Sequence, residues 1–146
     1  MRHMNRIIAI AADHAGVDYK QALIEDLRQL GHEVRDLGTN SLESVDYPDF
    51  AAKVAEAVKT GQASCGILIC ATGTGMSIAA NRVPGIRAAL CHDITTVRLA
   101  RQHNDANVLC LGARILGLTT ARDVLMAFLE VEFEGGRHQR RVDKLG

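Results

Sequence analysis

Tryptophan is absent from these 146 residues, and tyrosine and phenylalanine supply only 2 and 3 side chains. So few aromatic faces leave no platform on which the bases of single-stranded nucleic acid could stack. Net charge is missing as well. The 17 Lys and Arg balance the 17 Asp and Glu, so no overall field draws the chain to nucleic acid or anionic lipid, and any basic site has to be local. No apolar run approaches transmembrane length, and there is no charged leader followed by an apolar segment and a small-residue cleavage site; a cytoplasmic protein is the expectation. The 4 cysteines form no Cys-x-x-Cys pair and none stands at zinc-like spacing from a histidine, so reduced thiols are the simplest state. The 6 histidines form no His-x-His and no His-Glu-x-x-His, and lie near no carboxylate cluster, which argues against a catalytic metal. Gly73-x-Gly75 is neither a dinucleotide fingerprint, since Ile78 stands where a third glycine belongs, nor a Walker A loop. No cofactor is expected.

What is present centres on Cys65 to Asn81. Gly66 to Ile69 is an uncharged, β-branched run suited to a strand buried on both faces. Cys70 stands at its carboxyl end, and the small residues Thr72, Gly73, Thr74 and Gly75 turn the chain into a helix starting near Met76. The first amides of that helix have no partners within it, so the turn favours a phosphate, a carboxylate or an oxyanion and supports a thiolate beside it. A small cysteine in a buried strand is most often packing, and Cys65, Cys91 and Cys110 are read that way. Cys70 differs in lying where open α/β sheets place their ligands.

The flanking sequence alternates strand and helix. Ile7 to Ala12 reads as a buried strand. The Val17 to Leu30 stripe ends at Gly31, and Glu33 to Leu37 is a second strand. Pro48 opens a helix running to Gly61. Arg87 to Cys91 is a fourth strand, Asp93 caps a helix to about His103, Asn107 to Leu111 is a fifth strand, and Thr119 or Thr120 caps a helix through Leu129. At this length and hydrophobic content a single domain over residues 1–146 is expected. The alternation argues for a five-stranded parallel sheet between helical layers, in the flavodoxin-like order 2-1-3-4-5. That order sets Asp13 and His14, at the end of the first strand, beside Cys70 and its turn. In the tail, a helical Arg137 and Arg141 share one face with His138 beside them, a fork suited to a phosphate; a solvated basic helix end is the plainer reading.

Asp13-His14-Ala15-Gly16, Asp46-Tyr47-Pro48, Ile69 to Gly75, Arg101 to Asn104 and Glu134 to Arg141 together closely resemble the type B ribose-5-phosphate isomerases and the wider family that includes the galactose-6-phosphate isomerase subunits. The likeness covers nearly the whole chain. It implies a Rossmann-like three-layer α/β/α fold and a homodimer or dimer of dimers, with tail 135–146 at the dimer interface and an active site completed by the partner. It makes Cys70 the base that moves a proton between C2 and C1 through an enediolate, and gives ring opening to Thr72 and His103. The amides around Ala71, Gly73, Thr74 and Gly75 face the developing oxyanion. Asp13, Tyr47 and Asn104 look like sugar-hydroxyl contacts, and His14, Arg114, Arg137 and Arg141 like phosphate ligands, with His138 near them. Ala71 departs from the glycine common in the cysteine branch, which bears on the shape of the loop. Met76 and Ser77 occupy the region where another branch carries a catalytic glutamate. Metal-independent isomerisation of ribose 5-phosphate is the activity this resemblance implies. A six-carbon sugar phosphate isomerase and a non-catalytic phospho-ligand module are the alternatives, and Met4 competes with Met1 as the start.

Overall fold

A computed structural model describes residues 5–146, so the choice between Met1 and Met4 lies outside the described residues. Five parallel strands form one sheet: β1 (Ile7–Ala12), β2 (Glu33–Asp36), β3 (Cys65–Cys70), β4 (Ala88–Leu90) and β5 (Val108–Gly112). Helices α1 (Val17–Gln29), α2 (Tyr47–Lys59), α3 (Thr74–Ala80), α4 (Ile94–Asn104), α5 (Leu118–Glu130) and α6 (Arg137–Asp143) complete the chain. The α/β class and the alternation are as expected from sequence, but the strand order is 2-1-3-5-4.

The exchange of the last two strands has a packing cause. Every residue of β5 is buried, whereas the 3 residues of β4 are only partly so. A long apolar strand gains most at the centre of the sheet, and a short one makes a safe edge. The exchange also brings the segment after β5 to the end of β3. The amide of Ala113 donates to the Cys70 carbonyl and that of Arg114 to the Ala71 carbonyl, both at 2.9 Å.

Alternate strand residues point to opposite faces. Ile8, Ile10, Ile67, Ile69, Leu109 and Leu111 pack beneath α1, α4 and α5. Ala9, Ala11, Leu68, Cys70, Val108 and Cys110 pack beneath α2 and α3. The sulfur of Cys70 therefore belongs to the α2/α3 side. Helix α2 reaches the sheet closely because Gly66 has no side chain; a Cβ there would lie 2.4 Å from Val54 Cγ1.

Three helix boundaries differ from the sequence reading, and the first is at the β3 turn, where α3 begins at Thr74 rather than near Met76. Leu30 is the C-cap of α1 and is 46% exposed rather than part of the buried stripe. Gly117, not Thr119 or Thr120, precedes α5, which places both threonines inside its first turn. Asp93 does cap α4, accepting the Thr96 amide at 2.6 Å. One fully buried cation was not legible at all. Lys20 Nζ on α1 donates to both carboxylate oxygens of Asp36, at 2.8 and 2.9 Å, and to Asn40 Oδ1 at 2.8 Å. This fixes the end of β2 and the loop beyond it.

Candidate active site

Cys70 ends β3 and is only 5% exposed. Its Sγ accepts the Gly73 amide at 3.2 Å, an interaction that stabilises negative charge on sulfur. Gly73 turns at φ +79°, and a Cβ on it would lie 2.5 Å from Leu90 Cδ1 and 2.9 Å from the Leu111 carbonyl carbon, so the turn fits only because that residue is glycine. Thr72 Oγ1 accepts the Thr74 amide at 3.2 Å. Two of the turn's amides, Gly73 and Thr74, are thus used to hold its own shape. Gly75 and Met76 lie in the first turn of α3, where amides have no acceptor within the helix.

The end of β1 meets this turn as the sequence suggests. The Asp13 amide donates to the Ile69 carbonyl at 3.1 Å, and its buried carboxylate accepts the Ala15 amide at 2.9 Å. His14 Nδ1 accepts the Val45 amide at 3.2 Å, so the neutral ring carries its proton on Nε2. Tyr47, at the start of α2, covers Gly75: a Cβ on that glycine would lie 2.7 Å from the phenol ring. Arg114 is exposed, with its backbone pinned to Ala71. The carboxyl edge of the sheet therefore brings the backbone of Asp13, His14 and Arg114, and the ring of Tyr47, around Cys70, Ala71, Thr72, Gly73, Thr74 and Gly75.

The remaining candidates form a second group. His103, Asn104, Arg137, His138 and Arg141, with Val142 and Leu145, line a hollow of about 350 Å³ between the end of α4 and α6. Arg101 ties the end of α4 to the chain on either side of α5: its guanidinium donates to the Val131 carbonyl at 3.0 Å and the Ala106 carbonyl at 2.7 Å. The Glu134 amide donates to the Gln102 carbonyl at 3.0 Å, which sets the start of the tail against α4. The rings of His103 and His138 stack, with centroids 4.3 Å apart and planes 13° from parallel. Burial, then the charges of His103 and Arg137, holds His138 below the usual histidine value. No residue of the β3 turn lines this hollow. A larger hollow of about 740 Å³ lies by Arg6, Ile7, Ala63 and Ser64, at the amino-terminal edge of the sheet, and is lined by none of the candidates.

The other thiols behave as packing. Burial raises Cys65, pushes Cys91 up to about 12 with help from Asp93, and raises Cys110 further, with Cys70 and Cys91 adding to it. Sequence reasoning missed Glu134, which lies with His103 and His138, because α4 and the tail are far apart in the chain. Its only signal was the four-residue spacing from Glu134 to His138.

An open parallel sheet with a thiol and a glycine turn at its carboxyl edge, and a basic hollow beside a histidine, is the frame of an α/β protein that takes an anionic ligand at the ends of its strands. Residues 8–145 match the ribose/galactose isomerase family. The chain is 48% identical over 138 residues to ribose-5-phosphate isomerase B of Escherichia coli (strain K12), covering 94% of this chain and 93% of that protein. The solved ribose-5-phosphate isomerase B of Clostridium thermocellum superposes with a TM-score of 0.95 at 54% identity, covering 96% of this chain and 95% of the other. That of Mycoplasma genitalium, with bound ribulose-5-phosphate, superposes with a TM-score of 0.92 at 47% identity, covering 95% and 93%. The chain belongs to the ribose/galactose isomerase family. Among the described residues no helix is long and apolar enough to cross a membrane.

Proposed function

We propose that this protein is a metal-independent aldose–ketose isomerase interconverting ribose 5-phosphate and ribulose 5-phosphate, with Cys70 as the base. The observation that carries the proposal is the Cys70 sulfur, held by the Gly73 amide at the carboxyl end of β3 and flanked by Asp13. His103 gives its proton to the ring oxygen of the furanose as the C1–O bond breaks, and the anomeric hydroxyl passes its own proton through the Thr72 hydroxyl to solvent, opening the sugar to its aldehyde. The Cys70 thiolate then takes the proton from C2, and charge passes to O1 as the enediolate forms. The O2 hydroxyl gives its proton to O1 and the thiol returns its own to C1, which leaves the ketose. Such a step needs a base effective near neutral pH and donors aimed at the developing oxyanion. The amides at Ala71 and Gly75 supply those donors. Asp13, Tyr47 and Asn104 hold sugar hydroxyls, and His14, Arg114, Arg137 and Arg141 hold the phosphate, with His138 beneath His103. Ala71 adds a methyl group to the loop and leaves the amide in place.

That no residue of the β3 turn lines the His103 hollow supports a site completed by a second copy of the chain. A homodimer or dimer of dimers, each protomer one domain over 1–146 with residues 135–146 at the interface, supplies the hollow of one subunit to the β3 turn of the other. Free thiols fit a cytoplasmic protein. Isomerase assay of Cys70→Ala tests the base: turnover falls by several orders of magnitude, and near-wild-type turnover removes Cys70 from that role. A panel of five- and six-carbon sugar phosphates sets the substrate length, and activity that survives exhaustive chelation supports metal independence.

A further inference from the structure

The end of α4 and the start of the tail place a second kind of chemistry in the arginine-lined hollow. One ligand atom from each of His103, Glu134 and His138 lies within 4.8 Å of the others. His138 Nε2 stands 3.5 Å from Glu134 Oε1, close to the edge of a tetrahedron around a metal with bonds of about 2.1 Å. That nitrogen is buried, finds no hydrogen-bond partner, and belongs to a residue only 6% exposed. A buried imidazole nitrogen with a carboxylate near it but no hydrogen bond is costly, and a ligand that accepts its lone pair would relieve the cost.

From this geometry we infer that His103, Glu134 and His138 form a binding site for a borderline-soft divalent cation of the zinc type. Two imidazoles and one carboxylate are a donor set that zinc takes, leaving a fourth position for solvent or an anion. Magnesium and calcium are excluded on two grounds. They call for oxygen ligands, and Arg137 and Arg141 in the same hollow oppose any ion that binds by charge alone. Zinc binds by donation from nitrogen, which that field weakens less. A metal lies in the plane of each imidazole it binds, so the parallel stack cannot persist in the loaded site. His103, the more exposed ring, turns toward the ion while His138 stays in place. Occupancy therefore removes His103 from the sugar. Given the isomerase reading above, zinc is a reversible inhibitor and not a cofactor.

Zinc binding to the metal-stripped wild-type protein, measured by competition with a chromophoric chelator, tests the site apart from the enzyme reading. One zinc per chain is expected, and Glu134→Gln and His138→Gln each weaken it by at least about tenfold, the loss that even an outer-shell partner brings. Cobalt(II) in the same site gives visible bands without a thiolate charge-transfer band. The proposal is overturned if both variants bind zinc like wild type, if Cys70→Ala alone abolishes binding, or if no zinc binds. Inhibition is read separately: zinc slows ribose 5-phosphate turnover by wild type, chelator restores it, and Glu134→Gln needs at least tenfold more zinc for the same effect. Zinc bound at these residues without loss of turnover overturns the inhibitory part alone.

Discussion

Gly112→Ala tests how the Thr72–Gly75 turn is seated on the sheet. Gly112 ends β5, and a Cβ on it would lie 2.6 Å from the Thr72 carbonyl oxygen and 2.7 Å from its carbon. Both atoms are backbone, so no flexible side-chain end can swing aside. Ordinary contact begins near 3.4 Å, which requires the turn or β5 to give by about 3.4 − 2.6 = 0.8 Å. Overpacking of this kind costs about 1–3 kcal/mol, and a chain of this size loses roughly 2–4 °C of Tm per kcal/mol. The protein therefore folds, with a Tm lower by up to roughly 10 °C. Catalysis suffers more, because a displacement near 1 Å at reacting groups costs on the order of 100-fold. The expected result with ribose 5-phosphate is a kcat about 100-fold down with a smaller change in KM, read beside a thermal melt. Gly117→Ala is the control for close contact, since nothing lies within 4 Å of a Cβ there: kcat should stay at wild type, with only a small loss of Tm from alanine at the N-cap of α5. Wild-type kcat and Tm in Gly112→Ala would refute the claim that close contact with β5 sets the turn.

Three further outcomes concern other parts of the molecule. Lys20→Met leaves the Asp36 carboxylate without its buried cation and lowers stability by roughly 3 kcal/mol in urea unfolding; an unchanged midpoint would show that the pair contributes nothing. His138, held below its ordinary 6.5, binds its proton more weakly when folded than when unfolded, so its influence on stability is neutral above pH 6.5. Stability falls as the pH drops through that value toward the native one, because the unfolded chain takes up the proton first. His138→Gln flattens this acid-side slope in unfolding titrations, and an unaltered slope refutes the assignment. A neutral alkylating reagent applied to the native protein near neutral pH leaves Cys65, Cys91 and Cys110 unmodified, since burial keeps them as thiols. Mass-spectrometric labelling at any of the three before unfolding contradicts that.

Much of this arrangement was legible in the chain because local signals agreed with the fold. The unbroken apolar run of β1, Pro48 at the start of α2, and Asp93 ahead of α4 each name their element through a backbone requirement. The order of β4 and β5 was not legible, because both read as short apolar runs and only their relative burial decides which is central. Lys20 escaped notice for a related reason: its partners Asp36 and Asn40 reach it from other elements, and a helical stripe of apolar residues says nothing about them. The surroundings of the β3 turn could be assembled from sequence since their parts end adjacent strands. The stacking of His103 on His138, and Glu134 beside them, depends on how the tail docks against α4, which no periodicity encodes.

The alternation of β3 ties chemistry to folding. Ile67 and Ile69 face one helical layer, while Leu68 and Cys70 face the other. A slip of one position along this strand would drive the sulfur under α1 and offer an isoleucine methyl to the turn, and it would also invert every neighbouring core contact. Such a chain loses its fold before it can lose its reaction. The position of the sulfur is thereby policed by the hydrophobic interior, and variants that keep a native core keep Cys70 on its proper side.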